Sequence, residues 1–174
     1  MQLLPIGKNF LTLNGSLSGI DIKNWNFELG INGFFQDNFS TPDTGVKRLI
    51  PDYIKFETGI YFLGNFQKNN SFLWEWGLRL DHVSYDSKKY YYKSVWNERN
   101  YNVLFQGFET GQDFANQILT NPKFNYLNLS AQTGASLNIS NDLELKISYI
   151  LSQRAPNPSE LFSDGLHHAM AAIE

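Results

Sequence analysis

Apolar and polar residues alternate with period two along six stretches of this chain. Each stretch predicts a β-strand with one apolar and one polar side. In the first, Leu11, Leu13 and Leu17 are set against Thr12, Asn14 and Ser16. In WNFELGINGFFQD, Trp25, Phe27, Leu29, Ile31 and Phe35 oppose Asn26, Glu28, Gly30, Asn32 and Gln36. YIKFETGIYF sets Ile54, Phe56, Ile60 and Phe62 against Lys55, Glu57, Gly59 and Tyr61. FLWEWGLRLD is the sharpest, with Phe72, Trp74, Trp76, Leu78 and Leu80 facing away from Glu75, Gly77, Arg79 and Asp81. NYLNLSAQTGASLNIS runs from Leu127 to Ile139 in the same rhythm, and LELKISYILSQR alternates from Leu143 through Arg154. None of the six apolar sides carries a charge.

The predicted connections alternate in length. Short polar turns are expected at SGIDIKN, NFQKNN and ISND, and long segments at NFSTPDTGVKRLIPD, at Ser84 to Lys123 and from Arg154 onward. Short turns at one end and long loops at the other are the layout of a transmembrane barrel. A soluble sandwich or lipocalin-like barrel shows the same alternation. Strand length favours the membrane: several strands reach ten residues or more, near the roughly 9–11 that cross a bilayer at a tilt. Aromatic residues also gather near the strand ends, as interface girdles do. The predicted fold is therefore all-β, an antiparallel meander of six to seven long strands, a segment of a large transmembrane β-barrel.

Composition changes little in that picture. The 14 Phe, 9 Tyr, 4 Trp and 13 Gly suit strands and turns. A net charge of −3 gives no electrostatic footprint for nucleic acid, so no nucleic-acid partner is expected. No run approaches the roughly 20 apolar residues of a spanning helix, and MQLLPIGKNF lacks the basic start and apolar core of a signal peptide. Without cysteine there are no disulfides or thiolate metal sites.

The run RAPNPSELFSDGLHHAMAAIE resembles the late-barrel signature of TonB-dependent outer-membrane receptors, an R-x-P followed by E-L-[YF]-x-x-G-x-H and then E-x-G. The matching residues are Arg154, Pro156, Glu160, Leu161, Phe162, Gly165, His167 and Glu174. WGLRLD (Trp76 to Asp81) is similar to another strand of that family, IPDYIKFETGIYF to the strand before it, and FNYLNLSAQTGASLNIS to the strand entering the signature. The family fold is a barrel of about 22 strands whose lumen is closed by a plug. The resemblance implies that residues 1–174 form part of such a barrel, with no plug domain and no C-terminal closing strand. It implies a bacterial outer-membrane receptor importing a siderophore-type iron chelate, driven by the TonB complex through the plug region and surrounded by outer-membrane lipid. Two other readings stand beside it: a haem or zinc receptor of the same family, and a soluble β-sheet ligand-binding module. With two open sheet edges, the chain alone is expected not to be stable as a soluble monomer.

The candidate ligand-binding residues are Arg154, Glu160, His167, His168, Tyr91, Trp96 and Arg99. His167 or His168 is a possible metal ligand, since imidazole binds zinc and iron well, although the expected role is to hydrogen-bond the rim. Adjacent histidines on an extended segment point oppositely, so at most one faces the lumen. Arg154 is expected at the outer end of its strand, on the lumen side, paired with Glu160 or a neighbouring acid. The segment KKYYYKSVWNER (Lys88 to Arg99) offers stacking and cation–π contact to an aromatic, anionic chelate. VLFQG (Val103 to Gly107) resembles a picornaviral 3C protease site, read here as coincidence. Neither a G-x-S-x-G elbow nor an H-E-x-x-H motif occurs, so no enzyme activity and no cofactor are expected.

Overall fold

The computed structural model describes residues 6–40, 50–68, 71–140, 142–162, 166–167 and 172–173. Its frame is an open antiparallel sheet. The long strands are β1 (Ile6–Ile22), β2 (Trp25–Ser40), β3 (Asp52–Lys68), β4 (Phe72–Tyr92), β7 (Lys123–Ser140) and β8 (Leu143–Leu151), hydrogen-bonded in that order. A short hairpin, β5 (Glu109–Phe114) and β6 (Gln117–Thr120), joins the same sheet where β6 pairs the far end of β4. Three short helices, α1 (Lys93–Glu98), α2 (Tyr101–Leu104) and α3 (Pro158–Phe162), and a 3-10 turn at Gln106–Phe108 lie at the long-loop end. A two-stranded piece, β9 (Leu166–His167) and β10 (Ala172–Ile173), follows.

All six predicted strands are present, with corrected ends. β1 does not turn at SGIDIKN but runs on to Ile22, and the turn is Lys23–Asn24. Between Leu17 and Ile20 its pairing with β2 slips by one residue, so Ser18 and Gly19 together oppose Glu28. Gly19 has φ +77°, the left-handed conformation of a bulge glycine. This extra residue moves Ile20 and Ile22 onto the side of Leu13 and Leu17, and it breaks the two-residue rhythm on which the sequence expectation rests.

The predicted long loop from Ser84 to Lys123 is in part strand. β4 continues to Tyr92, because beyond Asp81 its pattern inverts: Val83 and Tyr85 are buried on the polar side while His82 and Asp86 are exposed on the other. β6 and β7 form one ladder against β4, interrupted at Asn121–Pro122. Pro122 has no N–H to give, and Asn121 Nδ2 donates instead to the Ser87 carbonyl at 2.8 Å. At the other end, β8 stops at Leu151, so Arg154 lies beyond the strand rather than on it.

The register aligns the apolar positions into rows that cross the whole sheet. One row runs Leu17, Leu29, Phe62, Leu78, Ala131, Leu151, and another runs Ile22, Trp25, Phe66, Trp74, Ala135, Ile147. From the Leu11–Phe35–Phe56 row to the Trp25–Phe66–Trp74 row this face bears no Asp, Glu, Lys or Arg. Its large side chains are nonetheless exposed, for example Leu13 and Ile147, each 67%. Above it lies the polar row Asn9, Asp37, Ile54, Asp86, Lys123, where Lys123 pairs with Asp86 at 3.0 Å. The buried cluster is on the opposite face, where Tyr53, Val83 and Tyr85 are covered by Phe124, Tyr126, Ala155 and Leu161.

Candidate functional site

On the polar face, charges are paired within their own strands. Side chains two residues apart on a strand share a face, and three strands use that spacing: Lys55 with Glu57 (2.7 Å), Arg79 with Asp81 (2.7 Å) and Lys146 with Glu144 (3.0 Å). The Arg79 pair is bidentate, with Nε donating to Asp81 Oδ2 and Nη2 to Asp81 Oδ1, each at 2.7 Å; Nη2 also donates to Asn32 Oδ1 at 2.9 Å. Gly59 supplies the room, since a Cβ there would sit on the Asp81 and Asn32 side-chain oxygens. Next to this cluster, Tyr61 donates to Glu28 at 2.8 Å across Gly30. Glu28, Tyr61, Arg79 and Asp81, with Gln132, Gln153 and the apolar Leu63 and Ile150, line an open hollow of about 530 Å³, within the usual range for ligand sites. Satisfied pairs of this kind suit a face that meets water or a polar surface.

The segment after β8 crosses this face as a strap. Its sequence Asn-Pro-Ser-Glu builds the start of α3: Asn157 Oδ1 accepts from the Glu160 N–H at 3.0 Å, and Glu160 Oε2 accepts from the Asn157 N–H at 2.9 Å. This is a reciprocal capping box with proline at the first helical position. Arg154 closes the loop by donating to both Glu160 oxygens, at 2.8 and 2.7 Å. The expected Arg154–Glu160 ion pair is therefore present, although both side chains remain exposed. The strap is tied to β4 twice, by Tyr85 Oη donating to the Pro156 carbonyl (3.1 Å) and by Lys89 Nζ donating to the Phe162 carbonyl (2.9 Å). The aromatic ring of Phe162, 3% exposed, packs on Phe124 with centroids 6.0 Å apart. Tyr85, Lys89 and Asn157 were not among the sequence candidates. The N-P-S-E spacing was a readable signal for Asn157, whereas the two β4 anchors depend on a tertiary contact.

The Arg154 guanidinium, helped by the Asn157 N–H, holds the Glu160 carboxyl down from 4.5 to about 2. A depressed acid contributes its full stabilisation above its unfolded value and loses it as pH falls through the folded one. The strap is thus expected to stay latched through mild acid and to release only between about 4.5 and about 2. In Arg154→Gln the Glu160 titration should move up toward its ordinary value, with earlier loss of Glu160 amide protection. The carboxyl carbon shift of Glu160 followed by NMR reads both, and a titration unmoved by Arg154→Gln would refute the pairing.

The candidate residues of the long loop are gathered differently from a binding platform. Trp96, in α1, is 1% exposed. Its ring meets Tyr91 (5.1 Å) and Tyr101 (5.5 Å), and its indole N–H donates to Glu109 at 3.0 Å. Arg99 donates to Tyr101 Oη at 3.0 Å and lies over that ring. Trp96 and the half-buried Tyr91 therefore belong to a small core that holds the excursion together, with the exposed Arg99 at its edge on Tyr101, and the strap residues Arg154 and Glu160 form a separate group. The exposed apolar side chains at the tip are Val103 and Leu104. The backbone of His167 is in β9, but its side chain and all of His168 lie outside the described residues. Among the described residues no three His, Asp or Glu side chains gather into a metal-holding cluster.

In comparison with known proteins, no family model, no curated protein and no solved structure matches the chain.

Proposed function

We propose that this chain is a section of the barrel wall of a TonB-dependent outer-membrane receptor that imports a siderophore-type metal complex. The observation that carries the reading is the exposed apolar face. From Phe56 to Phe66 it extends ten residue steps along β3. At about 3.3 Å per residue and a tilt of about 40° this makes a band about 25 Å tall, the height of the lipid-facing belt of an outer-membrane barrel. An exposed apolar surface of this size needs a cover, and its aromatic lower border fits a membrane interface. The paired charges of the other face suit a watery lumen and a polar plug. The R-x-P…E-L-F strap adds the family signature of the sequence, now with a structural role as a latched rim segment.

In this reading the β5–β6 excursion and the strap lie outside the cell, where the chelate is captured, and the turns at Lys23 and Asp142 face the periplasm. The barrel wall itself does no chemistry. Energy reaches the receptor from the TonB complex through the plug, as the family resemblance implies.

Because the chain has no cysteine, single cysteines test the orientation directly. Val103→Cys should react with a membrane-impermeant maleimide on intact cells, and Asp142→Cys only after the outer membrane is permeabilised. Equal labelling of both on intact cells overturns the membrane placement. Uptake of ferric chelate that persists without the TonB complex overturns the receptor assignment.

A further inference from the structure

We propose that the apolar face carries a binding site for one anionic glycerophospholipid at its short-turn end, with an acyl chain between Trp25, Phe27, Trp74 and Trp76 and the phosphodiester on Lys23 and Lys68. The site rests on the membrane reading above and adds a specific lipid to it. Ile22, Trp25, Phe27, Trp74 and Trp76 line a groove of about 360 Å³ that opens on the apolar face. Trp25 and Trp74 meet edge to face at 5.7 Å, and the Trp74 indole N–H is already donated to Thr133 Oγ1 at 2.9 Å. The walls of the groove are thus hydrocarbon and ring surface, suited to an alkyl chain.

Two cations stand at its mouth. Trp25 pairs with Phe66, and the Gln67 N–H donates to the Asn24 carbonyl at 2.9 Å, so the register carried one step further sets Lys23 opposite Lys68. Lys68 shares the side of Phe62 and Phe66, and both lysines are exposed with no ion pair among the described residues. The nearby acids do not neutralise them. Asp21 accepts from Asn26 at 2.6 Å on the other face, and Asp142 lies in the β7–β8 turn, two strands along from Lys68. An apolar groove capped by a lysine pair is complementary to an amphiphile with an anionic head. A neutral phospholipid lacks the charge, and a small soluble anion lacks the chain.

The test uses the whole receptor of which this chain is the proposed wall section, its tryptophans outside this section replaced by phenylalanine, reconstituted into phosphatidylcholine vesicles doped with brominated phosphatidylglycerol or with brominated phosphatidylcholine. Bromine quenches the emission of Trp25, Trp74 and Trp76, while Trp96, buried in the loop core, supplies an unquenched background. Brominated phosphatidylglycerol should quench at a lower mole fraction than brominated phosphatidylcholine, by a preference of about fivefold for each lysine. The double variant Lys23→Asn, Lys68→Gln should abolish that preference; asparagine is chosen because Lys23 has φ 57°, which asparagine tolerates. Equal quenching by the two lipids in the unaltered protein overturns the site and leaves the membrane placement standing. Quenching by neither overturns both.

Discussion

If the apolar face meets lipid, as proposed, Leu78→Arg should cost about 2–4 kcal/mol of unfolding free energy in bilayers, the depth-dependent penalty of an arginine at the midplane of a lipid-facing barrel surface. Leu78 lies in the Leu17–Leu29–Phe62–Leu78–Ala131–Leu151 row, close to the middle of the apolar band. It is 51% exposed in the chain itself. That exposure makes the substitution discriminating. At a position open to water, exchanging one exposed side chain for another usually changes stability by no more than about 0.5 kcal/mol. Facing hydrocarbon, the guanidinium must be stripped of water or drag water and headgroups into the bilayer. Urea titrations in vesicles decide the matter. A loss below about 0.5 kcal/mol would return the apolar face to the solvent or to a protein partner. The control is Glu75→Arg on the polar face of the same strand, where the change should be small.

The strands were legible because a sheet with unlike faces writes its period directly into the chain. Where the physics keeps that period, as from Phe72 to Asp81, sequence and structure agree residue by residue. Where it fails there is a local cause. In β1 the Gly19 bulge inserts one residue and shifts the phase. In the far half of β4 the environments of the faces change: beyond the band the apolar side becomes polar, while Val83 and Tyr85 on the opposite side are covered by Phe124 and Tyr126 of β7 and by Ala155 and Leu161 of the strap. The reversed pattern therefore reads as loop until the strap is known to be there. Arg154 and Glu160 were recoverable as a pair from sequence, but the capping box that fixes Glu160 required recognising Asn157 and Pro158 as a helix start. Trp96 illustrates the remaining limit. A tryptophan among lysines and tyrosines looks like a stacking platform, and only its neighbours Tyr91, Tyr101, Phe105 and Glu109, folded around it, give it a packing role.

Trp96→Ala should accordingly disorder the long excursion rather than merely remove a ligand contact. A buried tryptophan cut to alanine loses about 3–5 kcal/mol of local stability, and here the ring has no second core to lean on. Its neighbours are Tyr101, Phe105 and Glu109 of the same excursion and Tyr91 at the end of β4. The loss should therefore stay local. Amide protection from Lys93 to Thr120 should collapse, while the pairing of β2, β3 and the lower half of β4 persists. Trp96→Phe separates packing from hydrogen bonding. It keeps a ring against Tyr91 and Tyr101 but gives up the donation to Glu109, a change of about 1 kcal/mol. The excursion should then remain ordered and become only modestly more labile. If Trp96 were instead a platform for the chelate, Trp96→Ala would leave amide protection intact and weaken binding alone. Hydrogen exchange on the two variants distinguishes these outcomes: an excursion still protected in Trp96→Ala would restore this residue to the binding surface and remove it from the core.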